Sequence, residues 1–537
     1  MFRKNDEHNQ LSMFNSYRAL HPKIYEVFED SWAPVFYEEV FNQIDEELFA
    51  FMYCEDNGRP NFPVNVLMSL EIIKHIFNYT DRELLNQFYF NYQVSYAVGV
   101  KNLGELYLAR RTLYEFREKL YIHTANNPDA EDLIFKTFKE LTDNFLEKAN
   151  IDTKELRTDS TMVAPNIKKA GRLSLAYDVL KKAVLSTPEE LLSEKLKHVP
   201  TQEFKKELLY YSKSESTEDL LKQVLELLVE LKETVVGHEA LMQQESIQLL
   251  ERFLQEQGKE EGGEILPKDA KEVSTDSLQS AHDPDATYRN KSGKKHSGYS
   301  VNITETCSDE NEHQFITDYT LSCNNKSDVE VIKERLDSWR EETGAQKIYA
   351  DGGYYSDDVV EKAETKGIEL NYSQVTGKKD NNDKLDITNF QFNSNYEVMK
   401  CPDDKVPLKS QYKPKKGVSI SHFAKEDCMN CQYRDICRVK EQKKNMVLRV
   451  TKKSLLAAKT KLHTKANRKE IASKRAPVEG TCSALKRSQN AGKLSVRGKA
   501  KSKVQMGLKI IGYNFKQFAK LCKSQNLSTG DVSLKPG

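Results

Sequence analysis

Gly298–Tyr355 reads GYSVNITETCSDENEHQFITDYTLSCNNKSDVEVIKERLDSWREETGAQKIYADGGYY, and the order of patterns inside it decides the fold class. GYSVNITETCS (298–308) and QFITDYTLSCN (314–324) alternate apolar and polar residues with a period of two, and the polar DENEH (309–313) between them reads as the turn of a hairpin. DVEVIKERLDSWREE (328–342) has helical spacing, and QKIYADGGYY (346–355) reads as a short buried strand that stops at Asp351 and Gly352. Hairpin, helix and strand in that order predict a mixed α/β unit with carboxylates at strand ends.

Upstream, IDTKELRTDSTMVAPN (151–166) has β-compatible residues leading to a polar turn at Asp159, Ser160 and Thr161, so a strand ending in a carboxylate is expected. Between these β segments the chain turns Leu- and Glu-rich from Leu173 to Gln257. Cap signals stand at Thr187–Glu190 (TPEE) and Ser216–Asp219, and LLKQVLELLVELKETV (220–235) is a long amphipathic helix. This stretch reads as an acidic helical insertion, 173–265, or a dimerisation element.

Residues 1–150 read as helical. Pro63 can open a helix through VNVLMSLEIIKHIF (64–77), and Thr80 with Glu83 is a capping-box signal for DRELLNQFYF (81–90). Thr112 with Glu115 repeats that signal before LYEFREKL (113–120). Helix, tight turn, helix suits a DNA reader and equally a purely structural bundle. Downstream, 389–449 holds short strands around a cysteine cluster, and 450–537 is basic and mostly helical. The expected organisation is a helical unit 1–150, a core 151–388 interrupted by the insertion, a cysteine-rich insertion 389–449, and a C-terminal part of the core, 450–537.

The 537 residues exceed one ordinary core and contain no run of about 18 apolar residues. MFRKNDEHNQ lacks the profile of a signal peptide, so a soluble cytoplasmic protein without membrane contact is expected. Nine cysteines, an odd number, argue against a disulfide framework. The formal net charge of zero conceals a division: Arg438 to Lys520 holds 24 Lys or Arg against Glu441, Glu470 and Glu479. Such a segment suits a polyanion, and equally a solvated basic surface.

Two-metal phosphodiester cleavage needs hard oxygen ligands that converge, and carboxylates supply them. Asp159 in RTDST and Asp351 in YADGGYY both follow β-like segments. In KRAPVEGTCSALKRSQNAG (474–492), Arg475, Glu479 and Lys486 fall at R-x3-E-x6-K, which on a helix returns to nearly one face. Asp283 and Asp285 in AHDPDATYRNKSGKKHSGY (281–299) read as a turn, and His282 and His296 as structural. Cys401, Cys428, Cys431 and Cys437 read C-x26-C-x2-C-x5-C, a partial match to a zinc ribbon. Structural Zn²⁺, a metal-free or iron–sulfur thiol cluster, and coincidence all remain open on spacing alone.

The ordered set RTDST, GYSVNITE, IYADGGYY, R-x3-E-x6-K and SVRGKAKSKVQMGLKIIGYNFKQ (495–517) resembles the DDE transposases of bacterial insertion sequences. The closest likeness is to the subgroup with a helical N-terminal domain and cysteines before the final catalytic helix, and it runs from about Pro60 to about Phe518. The resemblance implies an α/β, RNase H-like catalytic core with a helical N-terminal domain that binds DNA, a helical insertion and a small zinc-ribbon-like insertion. It implies Asp159, Asp351 and Glu479 as catalytic ligands of two Mg²⁺ ions, with Mn²⁺ able to replace them. Arg475, Lys486, Arg497 and Lys499 would meet DNA. The partners implied are double-stranded DNA, as terminal inverted repeats and target, and a second copy in a homodimer, nucleoid-associated when bound to DNA. The alternative is a domesticated or inactive relative that binds DNA without cutting it. Two departures stand out: Ala472 occupies a place where relatives often carry Tyr, and Pro477 should start or kink the helix beside Glu479.

Overall fold

The computed structural model describes residues 1–9, 15–17, 19–54, 58–127, 132–211, 216–291, 293–374 and 384–525. In the helical N-terminal region, α1 (Val64–Phe77) starts after Pro63 and stops at Asn78, whose left-handed φ of 57° ends the helix. Thr80 and Glu83 form the expected capping box of α2 (Asp81–Phe90). The signal at Thr112 is not used. Helix α3 (Arg110–Asn126) is already running there, its start preceded by Ala109 without a side-chain cap. Asp132 caps α4 (Leu133–Lys148) through the Phe135 N–H.

Strand β1 (Glu155–Val163) follows and runs past the expected turn at Asp159. The ladder explains the difference, because β1 finds partners over its whole length. Turn-prone residues that pair with β3 satisfy more backbone groups as a strand than as a turn. The helical insertion comes next, with α5 (Arg172–Leu185), α6 (Thr217–Val235) and α7 (Glu245–Gln257) around a separate core that includes Leu180, Leu225 and Phe253. Ser216 and Asp219 cap α6 as expected, whereas TPEE yields only a single 3₁₀ turn, Glu189–Leu191.

Strands β2 (Thr287–Lys291) and β3 (Lys294–Thr306) form a hairpin, and β3 forms a second with β4 (Ile316–Cys323). Helix α8 (Asp328–Thr343), capped by Ser327 and Glu330, leads to β5 (Lys347–Ala350) and then β6 (Glu369–Tyr372). The sheet order is β2-β3-β1-β5-β6, with β4 also on β3. β1 is antiparallel to β3 and parallel to β5. Beyond it, β7 (Lys409–Lys413), β8 (Val418–Phe423) and β9 (Met446–Thr451) pair antiparallel in the cysteine-rich region. Helices α9 (Lys452–Ala466), α10 (Arg468–Arg475), α11 (Pro477–Ser488) and α12 (Lys499–Gln525) complete the chain.

Helix α12 is the spine of the largest core, where the N-terminal helices meet β3 and β4. Phe518 stacks on Phe145 at 4.7 Å, and Phe515 meets Phe36 edge-on at 5.0 Å. The basic character of this segment is therefore partly internal. Lys501 and Lys503 pair with Glu118 and Asp132 on the N-terminal side. Lys509 is buried, donates to the Gln489 carbonyl, and is pushed down to about 8 by burial.

Candidate functional site

The parallel register of β1 and β5 sets Leu156 beside Ile348 and Arg157 beside Tyr349. Two residues further along the chain from each stand Asp159, within β1, and Asp351, just past the end of β5, so the register of strands that run roughly 4.8 Å apart brings both carboxylates to about one level. The Asp351 carboxylate accepts from the Gly352 N–H at 2.6 Å and from Ser373 Oγ at 3.4 Å. A Cβ on residue 352 would collide with the Gln374 carbonyl, so only glycine lets the chain turn this closely after Asp351. Asp159 Oδ1 accepts from the Ser160 N–H at 2.8 Å.

Pro477 breaks the C-terminal helix as its chemistry requires: α10 ends at Arg475 and α11 begins at Pro477. The break does not part the signature residues. Arg475 Nη2 donates to Asp159 Oδ2 at 2.8 Å, and its Nη1 donates to Glu479 Oε1 at 2.9 Å. The Arg475 and Asp159 side chains are only 16% and 12% exposed, while Glu479 is 64% exposed and faces solvent. Burial pushes the Asp159 carboxyl above its usual range, against the opposing pull of Arg475, and the neighbouring Asp351 charge pushes it further up. Asp159 and Glu479 thus share one guanidinium, and the charge of Asp351 also acts on it.

A second ion pair lies beneath this cluster and was not singled out from the sequence. Arg157 and Glu305 face each other across β1 and β3, and Arg157 Nε donates to Glu305 Oε1 at 2.6 Å. Arg157 Nη1 also donates to the Lys474 carbonyl, one residue before Arg475, at 3.1 Å. Lys474 Nζ returns to Glu155 and to the Cys307 carbonyl. The pair therefore ties the end of α10 to the sheet. Its one trace in the sequence was parity, since Arg157 stands two residues before Asp159 and shares its strand face.

The other expected DNA contacts are dispersed. Lys486, on α11, is half-buried, and burial pushes its ammonium down. Arg497 Nε donates to the Asn166 carbonyl at 2.8 Å, and the exposed Lys499 is held through its backbone N–H at Asp285, 3.4 Å away. Asp283 accepts from Tyr299 Oη at 2.5 Å and from the Gly498 N–H at 2.8 Å. The DPDA turn therefore anchors the SVRGK segment, in keeping with its reading as a turn.

Cys401, Cys428, Cys431 and Cys437 line one cavity of about 20 Å³, together with Phe423 and Val439. That is room for a single ion or water. Burial and the three neighbouring thiols push Cys428 up to about 11. Among the described residues no three His, Cys, Asp or Glu side chains close on a common point as they would around a bound ion. The donors nonetheless fit the groups expected: four thiols around an ion-sized space suit Zn²⁺, and hard carboxylate oxygens suit Mg²⁺. Among the described residues no helix is long and apolar enough to cross a membrane.

Two stretches of the chain match known families: residues 26–119 match a transposase domain (DUF772), and residues 400–519 match a transposase DDE domain. The first covers α1, α2 and most of α3. The second covers the cysteine cluster and the helices that carry Arg475 and Glu479. Asp159 and Asp351 lie between the matches, and Asp159 is joined to the second through Arg475. No curated protein and no solved structure matches the chain. With a transposase domain matched near each end and the helix of the second seated on the central sheet, the matches support a DDE transposase of an insertion sequence.

Proposed function

We propose that this transposase binds the ends of its insertion sequence and cleaves and rejoins DNA strands with Asp159, Asp351 and Glu479 as the ligands of two divalent ions on an RNase H-like core. The observation that carries the reading is Arg475 bonded to both Asp159 and Glu479, with Asp351 at the end of the strand that pairs parallel with β1. When bound, Mg²⁺ or Mn²⁺ would supply Lewis-acid activation of the attacking oxygen and stabilisation of the leaving oxygen. The chain's own residues do the rest. Asp159 and Glu479 share Arg475, which neutralises part of their charge, and the sheet fixes Asp159 and the strand that leads into Asp351. The helical region 1–150 would grip the terminal repeats, and the 173–265 insertion, with its separate core, would serve dimer assembly.

Purified protein mixed with DNA bearing the terminal repeats should nick it at the repeat boundary when Mg²⁺ or Mn²⁺ is added. Binding without any nicking under either ion would leave a DNA-binding relative that does not cut.

The cysteine cluster is assigned to structural zinc. Metal analysis should find one zinc per chain, and Cys431→Ser or strong chelation should lower the melting temperature before it lowers cleavage, because the ligands' folding energy is stored there. Zinc-free protein that melts as high as the rest would remove the assignment.

A further inference from the structure

We infer that the β2–β3 hairpin is a phosphate grip, in which Lys291, Lys294 and Lys295, with Lys169 and Lys486, hold the duplex DNA backbone beside the carboxylate cluster. The inference deepens the transposase reading above and rests on it.

The geometry begins at Gly298. Asp159 pairs with Ile303 of β3, and Lys294 lies nine residues upstream on the same strand. A straight strand would carry Lys294 about 30 Å from Asp159. It is not straight. Gly298 has φ +138°, where a side chain is strained, and a Cβ there would stand 2.5 Å from Pro165 Cδ and 2.7 Å from the Val163 carbonyl. Beyond this bend the hairpin tip comes near α11, close enough for Lys291 to act on Lys486, Cys482 and Asp159 alike.

The tip is cationic on every side. Lys291 and Lys294 face each other in the hairpin register, with Lys295 next to them. All three are exposed, as is Lys169. His296 lies among Lys486, Lys169, Lys291 and Lys294 and, already pushed down by burial, is pushed further by their charge. Cations from three separate elements therefore converge, and none of these lysines has a hydrogen-bonded or ion-paired partner among the described residues. Like charges gathered without a counter-anion repel one another. A polyanion laid between them removes that repulsion and releases its own counterions. By contrast, Lys501, Lys503 and Lys509 of the basic C-terminal segment already have partners inside the protein. The cluster also borders the carboxylates, where a cleaved strand must lie, and a β-hairpin is narrow enough to follow one groove wall.

The test compares the full chain with the triple variant Lys291→Ala/Lys294→Ala/Lys295→Ala and with the matching triple Arg variant. Each is made on an Asp351→Ala background and binds duplex DNA carrying the terminal repeats over a range of salt. Three lost phosphate contacts should reduce the slope of log K against log salt by about 2–3, and weaken binding near 0.1 M salt roughly a hundredfold or more. The Arg triple should bind like the parent, because it keeps the charges. An Ala triple with the parental slope overturns the grip, and so does an Arg triple as weak as the Ala triple. Parent protein that neither binds nor, with Asp351 restored, cuts this DNA would instead bring down the transposase reading.

Discussion

Asp351→Ala should abolish strand cleavage, by about a thousandfold or more, while affinity for terminal-repeat DNA stays within a few-fold of the parent. The size follows from the role assigned to the residue: removing a ligand removes the charge stabilisation that the reaction uses only in its transition state. The selectivity follows from the surroundings. Among the described residues the Asp351 carboxylate is hydrogen-bonded to the Gly352 N–H and Ser373 Oγ and to no cation, so its loss breaks no ion pair. Asp159→Ala is a less clean experiment, because it also strands one half of the largely buried Arg475 guanidinium. Cleavage of end DNA by Asp351→Ala at near the parental rate would sink the assignment of the triad.

Arg157→Met should destabilise the protein by about 3–5 kcal/mol, the usual consequence of removing one partner from a buried ion pair. Glu305 is fully buried, burial already pushes its carboxyl up, and Arg157 is the cation that opposes that push. Without Arg157 the carboxylate is left uncompensated and the Lys474 carbonyl loses its donor. The double variant Arg157→Met/Glu305→Leu should recover most of the loss, since apolar residues of similar volume often replace a buried pair at little net change. Denaturant unfolding decides the matter. An Arg157→Met protein as stable as the parent would show that the pair does not hold the end of α10 to the sheet.

The elements were largely legible in the chain. The hairpin of β3 and β4, the helix α8, the strand before Asp351 and the capping boxes at Thr80 and Ser216 are local matters, settled by a period of two or 3.6 and by side chains three residues apart. Where local signals failed, a partner distant in sequence had intervened. The polar RTDST run became mid-strand because β3 pairs with all of it.

The chemistry divides along the same line. Residue types and spacing marked Asp159, Asp351, Arg475, Glu479 and the four cysteines, because a carboxylate, a guanidinium or a thiol carries its chemistry wherever the chain puts it. Folding then set their relations. Register placed Asp351 level with Asp159, and the helix break at Pro477 let one guanidinium reach both Asp159 and Glu479. The bend at Gly298 brought Lys291 of the hairpin toward that cluster, while α12 turned Lys509 into the interior. Charge can be counted along a chain, but its direction and its partners depend on pairings between residues more than a hundred positions apart, and only the folded structure makes those.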